Sequence, residues 1–184
     1  MELRFTWLTF PPKLSGMSTL HPPDSANVRL ADADATAALA RWIAPQLAMG
    51  DCLLLPGPIG AGKTHFARAL IRHLLAAQGL AEEVPSPTFT LVQTYQAGAL
   101  EIWHCDLYRL SSPHEALELG LDDAFQTALC LVEWPDRLGS LTPEGALTLR
   151  LDPLADDSRA LTASATAPRW HPLLAALGGW HDAA

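Results

Sequence analysis

The residues best suited to chemistry lie in one glycine-rich stretch, GPIGAGKT at 57–64. It fits the pattern G-x-x-x-x-G-K-[ST], which is typical of a loop that wraps nucleotide phosphates. Backbone N–H groups in such a loop, and the dipole of the helix that follows, attract the negative charge of a triphosphate. Glycines let the backbone approach closely. We therefore expect nucleotide contacts from seven residues: Gly57, Gly60, Ala61, Gly62, Lys63, Thr64 and His65.

Two side chains of this loop have a distinct expected role. Lys63 places an ammonium group on the β- and γ-phosphates, and the Thr64 hydroxyl is placed to bind Mg²⁺. The alternative is an ordinary glycine turn with a solvated lysine. The context argues against that alternative, because a short apolar run, 52–55, precedes the loop and apolar residues at helical spacing, 64–78, follow it. Strand, glycine loop and helix is the order that a phosphate-binding loop requires.

Two carboxylates could complete a magnesium site. Asp106 and Glu133 each come directly after an apolar run that predicts a strand. Ligands of open α/β sheets bind outside the carboxyl ends of the strands, so both carboxylates would lie near Thr64 if their strands are parallel to the first. Either one could instead be a strand-end cap or the salt-bridge partner of an arginine. A phosphate-binding loop needs an acidic partner, so we expect at least one to be functional.

A proline-stiffened loop carries two further hydroxyl groups of interest, those of Ser86 and Thr88. Hydroxyls at such a place could sense the γ-phosphate, as switch loops do. An ordinary turn is an equally good interpretation from residue chemistry alone. Both interpretations stay open at this point.

Composition bounds the function. The chain has 184 residues, of which 49% are hydrophobic and 17% charged, which predicts a folded domain with a normal core. The net charge of -8 argues against direct, tight binding of nucleic acid through a broad basic surface. Three scattered cysteines, Cys52, Cys105 and Cys130, are expected to be small buried strand residues of a reducing compartment.

Targeting signals and domain boundaries can also be predicted. No apolar run is long enough to span a bilayer, and the segment 1–10 is a poor signal peptide because it carries an acidic residue and is followed by two prolines. We therefore expect no membrane association and a cytoplasmic protein. We expect a loose extension over 1–25, one nucleotide-binding domain over 26–168, and a tail over 169–184 that could hold a short helix.

Hydrophobic periodicity predicts the elements that position these residues. Helices are expected at 33–47, 64–78, between a capping box at Ser112 and Gly120, and at 170–177. Strands are expected at 51–55, 89–96, 100–105, 128–132, 146–151 and 161–165, the second and third forming a hairpin. This mixture predicts a three-layer α/β fold, a P-loop NTPase domain with a mixed, mainly parallel central sheet and an antiparallel hairpin.

The chain resembles the TsaE family, also called YjeE. The resemblance is carried by the glycine-rich loop followed, in order, by SPTFTLV at 86–92, DLYRL at 106–110, ELG at 118–120 and LVEWP at 131–135. It covers about 30–167. The loop alone is generic, whereas the other stretches together are specific.

The resemblance implies a function and a set of partners. It implies ATP on the loop, Mg²⁺ held through Thr64 and Glu133, and a catalytic role for Asp106 near the γ-phosphate together with Lys63. It implies that the loop with Ser86 is switch-like. Family members work with TsaD and TsaB to make threonylcarbamoyladenosine in tRNA, where slow ATP hydrolysis by TsaE helps the complex turn over and TsaD performs the transfer.

The chain departs from the family pattern at three places, and other functions remain open. His65 stands where a second threonine or serine is common, Pro58 replaces an acidic residue, and 164–167 lacks a glycine. The main alternative is a small P-loop metabolite kinase, but no cluster of arginines predicts its lid. A GTPase would need N-K-x-D, which the sequence lacks, and a nucleotide-gated module without hydrolysis would differ only in whether Asp106 and Glu133 support turnover.

Overall fold

A seven-stranded mixed sheet forms the centre of the molecule. The computed structural model describes residues 24–181, so the predicted loose extension at 1–25 lies almost entirely outside the described part. The strands are β1 (Ser25–Leu30), β2 (Cys52–Leu55), β3 (Val92–Ala97), β4 (Leu100–Asp106), β5 (Leu129–Glu133), β6 (Leu147–Pro153) and β7 (Arg159–Ser164). Their order in the sheet is β1-β7-β6-β2-β5-β4-β3. The four central strands are parallel, and antiparallel strands complete both sides.

Helices cover the two faces of this sheet. They are α1 (Ala33–Ile43), α2 (Lys63–Ala76), α3 (Pro113–Glu118), α4 (Leu121–Thr127) and α5 (His171–Leu177). One core cluster joins the sheet to α1, α2 and α5, and a second joins the opposite face to α3 and α4. The predicted three-layer α/β fold is confirmed. None of the helices in residues 24–181 is long and apolar enough to cross a bilayer.

Local signals account for the helix ends. The Asp32 side chain accepts a hydrogen bond from the Ala35 N–H at 2.8 Å and caps α1, and Pro45 lies in a single 3₁₀ turn that follows the helix. The predicted capping box of Ser112 and Glu115 starts α3, and Gly120 closes it with a φ of 78°.

Three elements differ from the sequence expectation. Strand β1 and helix α4 were not predicted. The alternation of apolar residues in β1 is a strand signal that was overlooked at the end of the predicted extension, whereas α4, with seven residues, is too short for a clear helical period. Strand β1 pairs with β7, which is distant in sequence. The hairpin begins at Val92 rather than 89, since Leu91 has a φ of 65° and Phe89 is 81% exposed.

Residues 168–181 pack onto the core. A 3₁₀ turn, Pro168–Trp170, leads into α5, and the Trp170 ring is fully buried with its Nε1–H donated to the Gly145 carbonyl at 2.8 Å. The Arg169 guanidinium forms a two-pronged ion pair with Asp51, directly before β2. These contacts attach the end of the described chain to the strand that leads into the glycine-rich loop.

Candidate active site

The glycine-rich loop lies between β2 and α2 at the carboxyl end of the parallel strands. Gly57 has a φ of 151°, and a Cβ there would approach the Leu151 carbonyl oxygen to 2.3 Å, so only glycine fits. Pro56 accepts a hydrogen bond from the Leu151 N–H at 3.1 Å. Gly62 caps α2 with a φ of 101°. Strand β6 therefore contacts the start of the loop. The positive φ of Gly62 marks the beginning of α2, and the N-terminus of that helix would face bound phosphates.

Lys63 is folded back over this loop. Its side chain is 5% exposed, and Nζ donates hydrogen bonds to the carbonyls of Gly57 at 2.9 Å and Pro58 at 2.8 Å. The Trp134 ring covers the ammonium group, with 4.0 Å between Nζ and the ring centroid. Burial lowers the pKa of Lys63 from its usual value, while the nearby Glu133 and Asp106 oppose this shift. The lysine is thus held in the cleft by carbonyl oxygens and an aromatic face.

Sheet register brings the two predicted carboxylates together. Asp106 ends β4 and Glu133 ends β5, and the two are direct Cα partners on neighbouring parallel strands. Because side chains of paired positions share one face of a sheet, both point to the side covered by α2. Both are buried, at 4% and 2% exposure. The Thr64 hydroxyl at the start of α2 donates to Glu133 Oε2 at 2.8 Å, so the predicted pair Thr64 and Glu133 is in direct contact.

The proline-stiffened loop contacts the second carboxylate. The Thr88 hydroxyl donates to Asp106 Oδ2 at 2.7 Å, and the Ser86 hydroxyl lies 2.9 Å from that of Thr88. Asp106 Oδ1 accepts from the backbone N–H of Tyr108 at 3.1 Å. The loop is therefore linked to Asp106 through a chain of hydroxyl groups, which is the connection that a switch-like loop would need.

Most of the predicted site residues line one cleft of about 240 Å³. It is lined by Ile59, Gly60, Lys63, Thr64, Thr88, Asp106, Tyr108, Glu133 and Trp134. Ser86 joins it through Thr88. Gly57, Ala61 and Gly62 shape the loop backbone, and Ala61 is fully buried.

The oxygen atoms that line this cleft are suitable ligands for Mg²⁺. A hydroxyl and two carboxylates, from Thr64, Glu133 and Asp106, are hard ligands of the kind that Mg²⁺ prefers. Residues 24–181 contain no group of three or more His, Cys, Asp or Glu side chains that could form a complete protein cage for a metal. That agrees with Mg²⁺ sites in which one or two carboxylates act together with substrate phosphates.

The comparison with protein families decides the affiliation of the chain. Residues 30–161 match the model of the family described as "Threonylcarbamoyl adenosine biosynthesis protein TsaE". The chain belongs to the TsaE family. The resemblance inferred from the sequence motifs is therefore confirmed, and the matched range agrees with the predicted one.

Similar proteins support TsaE membership at the level of sequence and fold. The chain is 41% identical over 120 residues to the tRNA threonylcarbamoyladenosine biosynthesis protein TsaE of Rickettsia bellii, which covers 65% of this chain and 81% of that protein. It is 35% identical over 146 residues to the protein of the same name from Bacillus subtilis, covering 79% and 89%. The crystal structure of Bacillus subtilis YdiB matches with a TM-score of 0.70 and 31% identity, over 84% of this chain and 95% of that one.

His65, one of the departures from the TsaE pattern, does not line the cleft. Its imidazole is exposed, and Nε2 lies 2.8 Å from the Ala33 carbonyl oxygen at the start of α1. Any contact of His65 with phosphate would therefore come from its backbone N–H in the first turn of α2.

Three aromatic or imidazole side chains at the site were not predicted as site residues. Tyr108 and Trp134 line the cleft, with ring centroids 4.9 Å apart, and His104 is buried against Glu133. A signal for His104 was present, since it precedes Asp106 by two residues on one strand and so shares its face. Trp134 directly follows Glu133 in the stretch LVEWP, but nothing in the sequence shows that its ring lies over Lys63. Its φ of 59° is uncommon for an aromatic residue.

Proposed function

We propose that this protein binds ATP with Mg²⁺ in the cleft and hydrolyses it slowly, in support of TsaD and TsaB homologues that form threonylcarbamoyladenosine in tRNA. One observation carries the proposal: Lys63, Thr64, Asp106 and Glu133 line a single cleft at the N-terminus of α2. Membership of the TsaE family supports the pathway, and the relatives are named for the same biosynthesis.

The residues of the cleft have separate tasks in this proposal. Lys63 and the N–H groups of the loop bind the phosphates, and the Trp134 ring limits the access of water to the ammonium group. Thr64 and Glu133 would hold Mg²⁺, which when bound neutralises charge on the β- and γ-phosphate oxygens. Asp106, held by Thr88 and the Tyr108 N–H, would orient the attacking water.

The charge of the protein favours a protein partner over direct contact with tRNA. A net charge of -8 repels a phosphate backbone, so tight and direct binding of tRNA is not expected. Two exposed apolar side chains are available to a protein: Ile59, which lines the cleft and is 75% exposed, and Phe89, which follows the cleft residue Thr88 and is 81% exposed.

Reconstitution tests the function. Multiple turnover of tRNA modification by TsaD and TsaB homologues should require this protein and ATP. Lys63→Ala should abolish that stimulation and weaken ATP binding by about 10- to 100-fold, because charge-assisted hydrogen bonds to phosphate are lost. Arg137→Ala, which removes a positive charge from an exposed position, is the matched control and should behave like the wild type.

Each part of the proposal has its own contrary result. Equal turnover with and without the protein would rule out the proposed role in tRNA modification. Unchanged ATP binding by Lys63→Ala would exclude the glycine-rich loop as the nucleotide site, whatever the outcome of the modification assay.

A further inference from the structure

His104 is a fully buried histidine next to the proposed metal site. It lies on β4 two residues before Asp106, and both side chains face the same side of the sheet. Its Nε2 is 2.9 Å from Glu133 Oε1, and both side chains are buried, at 0% and 2% exposure. A polar group at such depth needs a defined partner, and this histidine has a carboxylate as that partner.

The hydrogen bonds around Glu133 show which atoms of His104, Thr64 and Glu133 donate and which accept. An ionised carboxylate only accepts hydrogen bonds, so Nε2 of His104 carries the donated proton. Oε2 of the same carboxylate accepts from the Thr64 hydroxyl at 2.8 Å. Both oxygens of Glu133 are therefore occupied by different elements, Oε1 by β4 and Oε2 by the first turn of α2. The other ring nitrogen of His104, Nδ1, is buried and has no partner among the described residues.

We propose that His104 is a positioning residue for the metal site: its Nε2–H holds Glu133 in the orientation that turns Oε2 towards Thr64 and the cleft. This inference rests on the proposed binding of Mg²⁺ with ATP. A carboxylate with free torsions would sample other rotamers and lose the geometry that Mg²⁺ demands. Hydrogen-bond partners behind a metal ligand are typically worth 10- to 100-fold in metal affinity.

The unpaired Nδ1 makes a discriminating substitution possible. In glutamine the amide nitrogen stands about as far from Cβ as Nε2 does in histidine, so His104→Gln keeps a donor for Glu133 and sacrifices no hydrogen bond at Nδ1. His104→Met has a similar length but no donor. His114→Met is the matched control, since it makes the same exchange at a histidine whose side chain is 76% exposed on α3.

Binding of Mn²⁺ in the presence of saturating ADP, measured by electron paramagnetic resonance of the free ion, tests the proposal. His104→Met should weaken Mn²⁺ binding by about tenfold or more, His104→Gln by less than about threefold, and His114→Met not at all. Fluorescent ADP titrated in EDTA should show a far smaller loss for His104→Met, because the effect acts through the metal ligand. Thermal unfolding of each variant checks that it is folded.

The outcomes separate this inference from the function on which it rests. Wild-type affinity for Mn²⁺ in folded His104→Met, or an equal loss in His104→Gln and His104→Met, would overturn the positioning role and leave the ATP site intact. If His104→Met does not fold, the glutamine variant decides alone, and a loss of about tenfold in it would contradict the proposal. A wild-type protein that binds no Mn²⁺ with ADP would overturn both.

Discussion

Asp106 is the residue at which the candidate cleft and the proline-stiffened loop meet. One carboxylate oxygen accepts from the Thr88 hydroxyl and the other from the Tyr108 N–H, so neither can rotate freely. The backbone N–H of Asp106 in turn donates to the Leu91 carbonyl oxygen at 2.9 Å, and the Leu91 N–H donates to Pro87 at 2.7 Å. Side chains and backbone of the loop therefore both help to hold the Asp106 carboxylate in its orientation.

Replacement of Thr88 tests this connection. Thr88→Val keeps the shape of the side chain but removes the donor, and we expect kcat for ATP hydrolysis to fall about tenfold, which corresponds to about 1.4 kcal/mol, while nucleotide affinity changes much less. Steady-state ATPase kinetics with a separate nucleotide titration provide the measurement. Thr90→Val makes the same change at an exposed residue of the loop and should have little effect. Equal effects of the two variants on kcat would show that the Thr88 hydroxyl has no specific role in hydrolysis.

At the scale of elements, three adjacent parallel strands place three thiols on one face of the sheet. Cys52 on β2 is the Cα partner of Cys130 on β5, and Cys105 lies on β4. All three are free, buried and packed in the core cluster beneath α3 and α4. Burial raises the pKa of each thiol, to about 12 for Cys130, with Glu101 as a smaller contribution there. The predicted role of the cysteines as small buried strand residues is confirmed.

The raised thiol pKa values predict an alkaline loss of stability. A folded-state pKa above the unfolded value of about 9 favours the folded protein fully below pH 9, and this advantage is lost as the pH rises from about 9 towards 12. Each such thiol should contribute a slope of up to about 1.4 kcal/mol per pH unit in that window. Urea unfolding between pH 8 and 11 should show a shallower slope for Cys130→Ala than for the wild type. An unchanged slope would mean that Cys130 titrates normally in the folded state.

At the scale of the whole molecule, the end of the described chain is attached to the strand that leads into the glycine-rich loop. Arg169 reaches the carboxylate of Asp51 and the Gln46 carbonyl, and its guanidinium stacks 4.2 Å from the centroid of the Trp170 ring. Asp51 is 7% exposed at its side chain, whereas Arg169 is 43% exposed. Among residues 24–181, removal of the arginine therefore leaves this nearly buried carboxylate with only the Ala48 N–H as a hydrogen-bond donor.

We expect Arg169→Met to lower the free energy of unfolding by about 1–3 kcal/mol, less than for a fully buried pair because solvent screens the exposed guanidinium. Arg150→Met is the matched control. Its ion pair with Asp152 is half exposed, at 53% and 38%, so its loss should lower the free energy of unfolding much less than the loss of the Arg169 pair. Urea denaturation of both variants at neutral pH measures the two free energies of unfolding. Similar losses would show that the pair of Arg169 with Asp51 stabilises the fold no more than an exposed ion pair does.

The parts of the site that could be predicted from sequence have local causes. The loop at 57–64 is recognisable because glycine spacing and a lysine specify one backbone conformation, and Asp106 and Glu133 stand out because each ends an apolar run. Strand β1 has the alternation of a strand, but its pairing with β7 could not be predicted. The Trp134 ring over Lys63 escaped prediction because the two residues are far apart in the chain. The position of His104 two residues before Asp106 was a usable signal, but its contact with Glu133 could not be predicted because the two residues lie on neighbouring strands.

The sequence by itself determined the α/β fold class and the TsaE family and predicted a phosphate-binding loop, since these follow from residue types at short spacing. Only the tertiary structure decided which side chains meet. The parallel register of β4 and β5 places Asp106 opposite Glu133, and the packing of α2 on that face brings Thr64 to the carboxylate. A shift of one residue in that register would turn one carboxylate to the opposite face, because side chains alternate along a strand.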